Sequence, residues 1–124
     1  AKQYPKFFNT TEDESKFDNR SDDKGPEPEG VAIGKIGSKT YAFICLERIG
    51  GVMVYDITNP KAAQFVTYTN SRNFLGDYKK GTALDFSPEG IIFIDAVKSP
   101  DGKPMLVLIH EMSGTVTLYD IAQN

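Results

Sequence analysis

The 124-residue sequence predicts an all-β fold built from two repeated antiparallel units. One observation is a gapless internal echo: Glu47 to Ile57 reads ERIGGVMVYDI, and Glu111 to Ile121 reads EMSGTVTLYDI. A second echo lies upstream of each, Pro28-Glu29-Gly30-Val31 against Pro88-Glu89-Gly90-Ile91, in the same order. The third observation is that no segment carries a 3.6-residue apolar period, whereas several alternate or run apolar at strand length. A repeat of about 60 residues in strand-rich sequence points to stacked supersecondary units, here two four-stranded antiparallel blades of a larger β-propeller.

The elements follow in order. Residues 1–30 are acidic and irregular, with Pro26 and Pro28 forbidding a helix, and the stretch 9–29 reads as a well-solvated loop. Tyr4, Phe7 and Phe8 are expected to anchor its start, and Lys2 to Phe8 is a candidate donated strand. The first blade spans 31–69. Val31–Ile36 is its first strand, and Tyr41–Leu46 is a near-continuous apolar run of the kind covered on both faces. After Gly50-Gly51, Val52, Val54 and Asp56 share one face while Met53, Tyr55 and Ile57 share the other. Asn59-Pro60 marks a turn, and Gln64–Thr69 completes the unit with β-branched and aromatic residues. Residues 70–87 form a connecting excursion. The second blade, 88–124, repeats the plan with strands over Gly90–Val97, Met105–His110 and Thr115–Ile121. It lacks an outer strand, so the chain reads as a piece of something larger whose last edge is open.

Composition narrows the function classes. The net charge of −3 resides entirely in residues 1–30, and no basic stripe is available for phosphate contacts, so nucleic acid is not an expected partner. No run approaches the length of a membrane span. The single Cys45 cannot form an internal disulfide, and no Cys/His cluster suggests zinc. The expected partners are the remainder of the parent propeller or a second copy of this chain.

Three stretches, RSDDKGPEPEGVAIG (20–34), TYAFICLERIGGVMVYDITNP (40–60) and SPEGIIFIDAVKSPDGKPMLVLIHEMSGTVTLYDI (87–121), together with NSRNF (70–74), carry a further signal. They resemble the C-terminal part of the choice-of-anchor I family. That family is similar to mesenchyme-specific cell-surface glycoproteins, and its bacterial members are often labelled alkaline phosphatase-like. The resemblance implies a β-propeller and an extracellular, periplasmic or cell-surface location. It carries no catalytic motif onto particular positions of this chain.

The candidate chemistry is carboxylate chemistry. Glu47 and Glu111 occupy equivalent strand ends, and Glu29 and Glu89 occupy equivalent PEG positions. If all four face one axis, their like charges call for a cation, and hard oxygen donors suit calcium. Asp22 and Asp23 of the acidic loop join this proposed metal set, although the loop does not follow the EF-hand spacing. The simpler structural role for Glu47 and Glu111 is to accept backbone N–H groups in their own turns. Asp56 and Asp120 read as Asx-turn residues, and Gly30 and Gly90 as positions of unusual backbone shape. The repeat sets His110 opposite Leu46 and Cys45 opposite Ile109, which makes both ordinary strand positions rather than catalytic groups. Asn9-Thr10-Thr11 matches a glycosylation sequon. The expected function is a non-catalytic, calcium-using binding or scaffold module. The alternative is part of a metal-dependent alkaline phosphatase-like phosphoesterase whose catalytic centre lies mostly outside this chain.

Overall fold

The computed structural model describes residues 8–11 and 18–122. Two antiparallel sheets account for the regular structure. The first contains β1 (Pro28–Ile36), β2 (Lys39–Leu46), β3 (Val52–Asp56) and β4 (Gln64–Thr69) in that spatial order. The second contains β5 (Pro88–Ile94), β6 (Met105–His110) and β7 (Thr115–Asp120), again in sequence order. Two 3₁₀ turns, Pro60–Ala62 and Tyr78–Lys80, are the only helical elements among the described residues. Each is capped by a side chain one position upstream, Asn59 and Asp77, accepting backbone N–H groups.

The all-β expectation therefore holds, with one sheet of four strands and one of three. Strand boundaries differ from expectation chiefly at the end of β5 and at the starts of β1 and β5. β5 stops at Ile94 rather than Val97, because the Asp95 side chain accepts the Val97 N–H at 3.0 Å and its carbonyl accepts Lys98 N–H at 2.9 Å. That Asx turn removes the ladder partners a longer strand would need. β1 begins at Pro28, which pairs with Leu46 across a bulge before Val31, and Pro88 pairs with His110 in the same way.

The sheets pack face to face through Ile36, Phe43, Cys45 and Val52 of the first and Leu106 and Leu108 of the second. They lie closest where β1 runs beside β5. There Phe93 stacks on Phe43 with ring centroids 5.6 Å apart. Farther out the sheets splay, opening a cleft of about 880 Å³ between β4 and β7. The connecting segment is not loose. Arg72 is buried, donates to the Arg48 carbonyl at 3.0 Å and the Thr11 carbonyl at 2.8 Å, and covers the rings of Phe74 and Phe86. This guanidinium fastens the first sheet's turn, the leading segment and the excursion into one body.

The leading loop is only partly solvated, contrary to the sequence reading. Asn9, Thr10 and Glu27 are buried, while residues 21–24 are exposed. Arg20 and Lys24 do hold the loop, through Asp23 at 3.1 Å and Glu27 at 3.2 Å in each case. Tyr4 and Phe7, expected to anchor the segment, and most of the candidate strand Lys2 to Phe8 lie outside the described residues.

Candidate metal centre

One backbone device, used twice, builds the site. Glu47 follows β2 and donates its N–H to the Glu27 carbonyl at 2.9 Å; Glu111 follows β6 and donates to the Ser87 carbonyl, also at 2.9 Å. Gly50 and Gly114 then close their turns by donating to Leu46 and His110 at 2.8 and 3.0 Å, with φ of 88° and 64°. Glycine meets no Cβ penalty there. Directly before each PEG motif sits a non-glycine residue in the left-handed region, Glu27 at φ 47° and Ser87 at φ 59°. That conformation is costly and swings the chain from the turn into the first strand of each sheet.

These two residues, rather than Gly30 and Gly90, hold the unusual backbone. Neither glycine has a positive φ, and their small size serves close approach instead. A Cβ on Gly30 would lie 2.5 Å from the Glu89 carbonyl oxygen, so the glycine lets the two PEG segments touch.

The consequence is a shared carboxylate cluster. Oxygens of Glu47, Glu89 and Glu111 lie within 4.8 Å of one another, and so do those of Glu27, Glu29 and Glu47. Glu47 belongs to both groups and is buried, while Glu29, Glu89 and Glu111 are exposed. All four glutamates singled out from the repeat therefore converge. Asp22 and Asp23 stay on the exposed loop, outside both groups, with Asp23 paired to Arg20.

The electrostatics divide the cluster. Burial acts to raise Glu27, but bonds from Arg48 and Lys24 outweigh it and hold the carboxyl below its ordinary value. Arg48 Nε bonds Glu27 directly, and Arg48 Nη1 reaches Glu47 at 3.2 Å. Glu47 is nevertheless raised, first by burial and then by Glu27, Glu29 and Glu89, which together overcome Arg48. Glu89 is raised chiefly by the charge of Glu111, with burial and Glu29 adding to it. The side toward Glu27 is thus neutralised by cations of the protein, whereas the Glu47–Glu89–Glu111 side holds like charges in excess. Three such carboxylates offer the hard oxygens that calcium prefers, with water completing its usual six to eight ligands.

Glu27 and Arg48 were the residues that sequence reasoning undervalued. The signal was present as a joint exception to the repeat: the positions matching Glu27 and Arg48 are Ser87 and Met112, so an ion pair in one unit faces a neutral pair in the other. The Glu47 carboxylate takes Arg48, so its backbone N–H and not its side chain closes the turn.

The remaining candidates serve structure. His110 is buried, its Nε2 lies 3.0 Å from Thr117 Oγ1, and burial pushes the imidazole below its ordinary pKa. Cys45 is wholly buried in the core, and burial pushes its thiol up to about 12. Asp56 closes an Asx turn onto Thr58 N–H at 3.0 Å and pairs with Lys39 at 2.9 Å. Asp120 instead lies 3.9 Å from Lys103. Asn9, the sequon residue, is buried and donates to Ser21 at 2.6 Å, which removes it from the surface a glycan needs.

The family described as Choice-of-anchor I domain matches residues 1–60. Gigasin-3a of Magallana gigas is 30% identical over 132 residues, covering 98% of this chain and 46% of the relative. The chain thus spans about half the length of the curated relative it matches. No solved structure matches it. No helix among the described residues is long and apolar enough to cross a membrane. The chain is therefore similar to the Choice-of-anchor I domain over its first 60 residues, and to part of Gigasin-3a over nearly all of its length.

Proposed function

We propose that this chain is a non-catalytic binding or scaffold module of an exported or cell-surface β-propeller protein, its two sheets being neighbouring blades joined by a calcium-type cation. The observation that carries the reading is the meeting of Glu47, Glu89 and Glu111 within 4.8 Å, two of them from identical positions of the repeat. Like charges so placed oppose the packing of the two sheets, and a divalent cation reverses the sign of that interaction. The match to a choice-of-anchor domain supports the surface location. His110 and Cys45 are both buried, so neither is an accessible catalytic group, which favours binding over turnover.

The test is thermal unfolding and calorimetric titration with calcium, with magnesium as control. Calcium at about 100 times its dissociation constant should add roughly 2.7 kcal/mol of stability. Glu89→Gln and Glu111→Gln should each abolish most of that gain. No calcium-dependent shift would remove the cation from the proposal. Hydrolysis of a phosphomonoester by a longer protein containing this chain, lost on Glu47→Gln or Glu111→Gln, would instead establish the phosphoesterase reading.

A further inference from the structure

The two units share one backbone plan at the carboxylate cluster and finish it with different chemistry. Glu27 and Ser87 hold the same place in that plan, with left-handed φ values of 47° and 59°. Their carbonyls accept the N–H groups of Glu47 and Glu111, each at 2.9 Å. Each is followed by a proline paired with the end of the neighbouring strand, Pro28 with Leu46 and Pro88 with His110. Backbone conformation and anchors govern where a side chain leaves the chain, so the two Cα–Cβ bonds set out in corresponding directions. From Glu27 that direction leads to Glu29 and Glu47, whose oxygens lie within 4.8 Å of its own. From Ser87 it leads toward the equivalent pair, Glu89 and Glu111.

In the first unit the group carries its own cation. Arg48 Nε bonds Glu27, and Arg48 Nη1 lies 3.2 Å from Glu47, so a guanidinium stands among the carboxylates. The second unit has Met112 at the position of Arg48, and that side chain is 40% exposed. Where the first unit has the Glu27 carboxylate, the second has a hydroxyl. Ser87 is 0% exposed, and its Oγ has no hydrogen-bond partner among the described residues. A buried polar atom left unpaired is costly, and one facing a carboxylate group points to an occupant between them.

We propose that Ser87 is a ligand of the cation, its hydroxyl oxygen forming the floor of a site whose other protein ligands are Glu47, Glu89 and Glu111. This assignment rests on the cation reading above and deepens it, since the second unit would hold a metal ion where the first holds the Arg48 guanidinium. With each carboxylate binding through one oxygen, four protein ligands leave about two to four positions for water in a calcium shell. The neutral hydroxyl also limits the charge gathered at the junction. A fourth carboxylate there, as at Glu27, would add the repulsion that Arg48 relieves in the first unit.

Calorimetric titration with calcium, beside thermal unfolding without metal, tests the assignment. Ser87→Ala and Ser87→Gly both remove the donor, and glycine suits the left-handed backbone, which keeps that variant folded. Each should bind calcium about tenfold more weakly than the unaltered chain. Their metal-free midpoints should stay level or rise, because an unpaired buried hydroxyl is gone. Met112→Arg gives the second unit the guanidinium of the first. It should weaken calcium binding by a similar factor and raise the metal-free midpoint, whereas Met112→Leu should change neither. Affinity and metal-free stability that fall together in both serine variants would overturn the assignment, since that is the mark of a packing role. Calcium binding that Ser87→Gly leaves at full strength would also overturn it while the carboxylate site stands. An unaltered chain that binds no calcium would overturn both.

Discussion

Gly34 of β1 lies under the ring of Phe93 of β5, so close that a Cβ built on the glycine would sit 2.5 Å from Phe93 Cδ2. The same ring stacks on Phe43 at an interplanar angle of 11°. The thickness of one aromatic ring therefore sets the separation of the two sheets at this point of the β1–β5 junction. Everything above it, including the carboxylate cluster, inherits that spacing through β1 and β5.

Gly34→Ala should accordingly overpack the junction and cost about 1–3 kcal/mol. In urea unfolding this appears as a lower midpoint with an unchanged slope. Phe93→Leu in the Gly34→Ala background should cost less than in the native one, because the smaller side chain yields space to the methyl group. Costs that simply add would show that the two residues do not meet.

The repeat made most of this legible. Strand identity, the closing glycines and the four glutamates that converge are all carried by residues that recur at fixed offsets. The inward face is not, since the equivalent Val31 and Ile91 lie outside and inside. What escaped the sequence depends on partners distant in the chain. The bond from Arg72 to Thr11 spans 61 positions, and nothing local distinguishes that arginine from a solvated one. The left-handed backbone at Ser87 is equally silent, since serine carries no preference for it. Asp22 and Asp23 had the right chemistry, but the loop keeps them from the junction, a placement fixed by its ion pairs to Arg20 and Lys24.

The ion pair unique to the first unit gives a second prediction. Arg48→Met leaves the buried Glu27 with only Arg20 and Lys24, and should destabilise by ~2 kcal/mol, below the full cost of stripping a buried carboxylate. Adding Glu27→Ser copies the neutral pair Ser87/Met112 of the second unit. The double variant should regain more than half of the loss. If it is as unstable as the sum of both single changes, the two positions are not coupled as described.

Cys45 offers a direct probe of global unfolding. A wholly buried thiol held up to about 12 presents almost no thiolate at neutral pH. Labelling by a disulfide reagent should be at least ~1000-fold slower in native buffer than in denaturant, with a rate that tracks the unfolding equilibrium. Rapid labelling of the native chain, with no spectroscopic sign of unfolding, would show that the core opens locally at β2.

The cluster predicts an acid-shifted stability optimum. Glu47 and Glu89 have folded values above the ordinary 4.5, so the stability they contribute is complete below 4.5 and lost as pH rises through their folded values. Glu27 has the opposite sign, its contribution being present above 4.5 and lost as pH falls through its lowered folded value. Asp56, lowered from 3.8 to about 2, adds a further loss at the acid end. Descending from pH 7, the buried His110, held below 6.5, first costs some stability as the unfolded imidazole takes up its proton. Stability should then rise as Glu89 and Glu47 take up theirs. It should then fall below about 4.5 as Glu27 and Asp56 lose their partners. Thermal midpoints measured from pH 7 to pH 3 without divalent ions should therefore pass through a maximum near the carboxylate range. Glu89→Gln should raise the midpoint at pH 7 and flatten the acidic rise, because it removes the repulsion that protonation otherwise relieves. A profile that falls steadily from pH 7, or one that Glu89→Gln leaves unchanged, would mean that the glutamates do not repel one another across the junction.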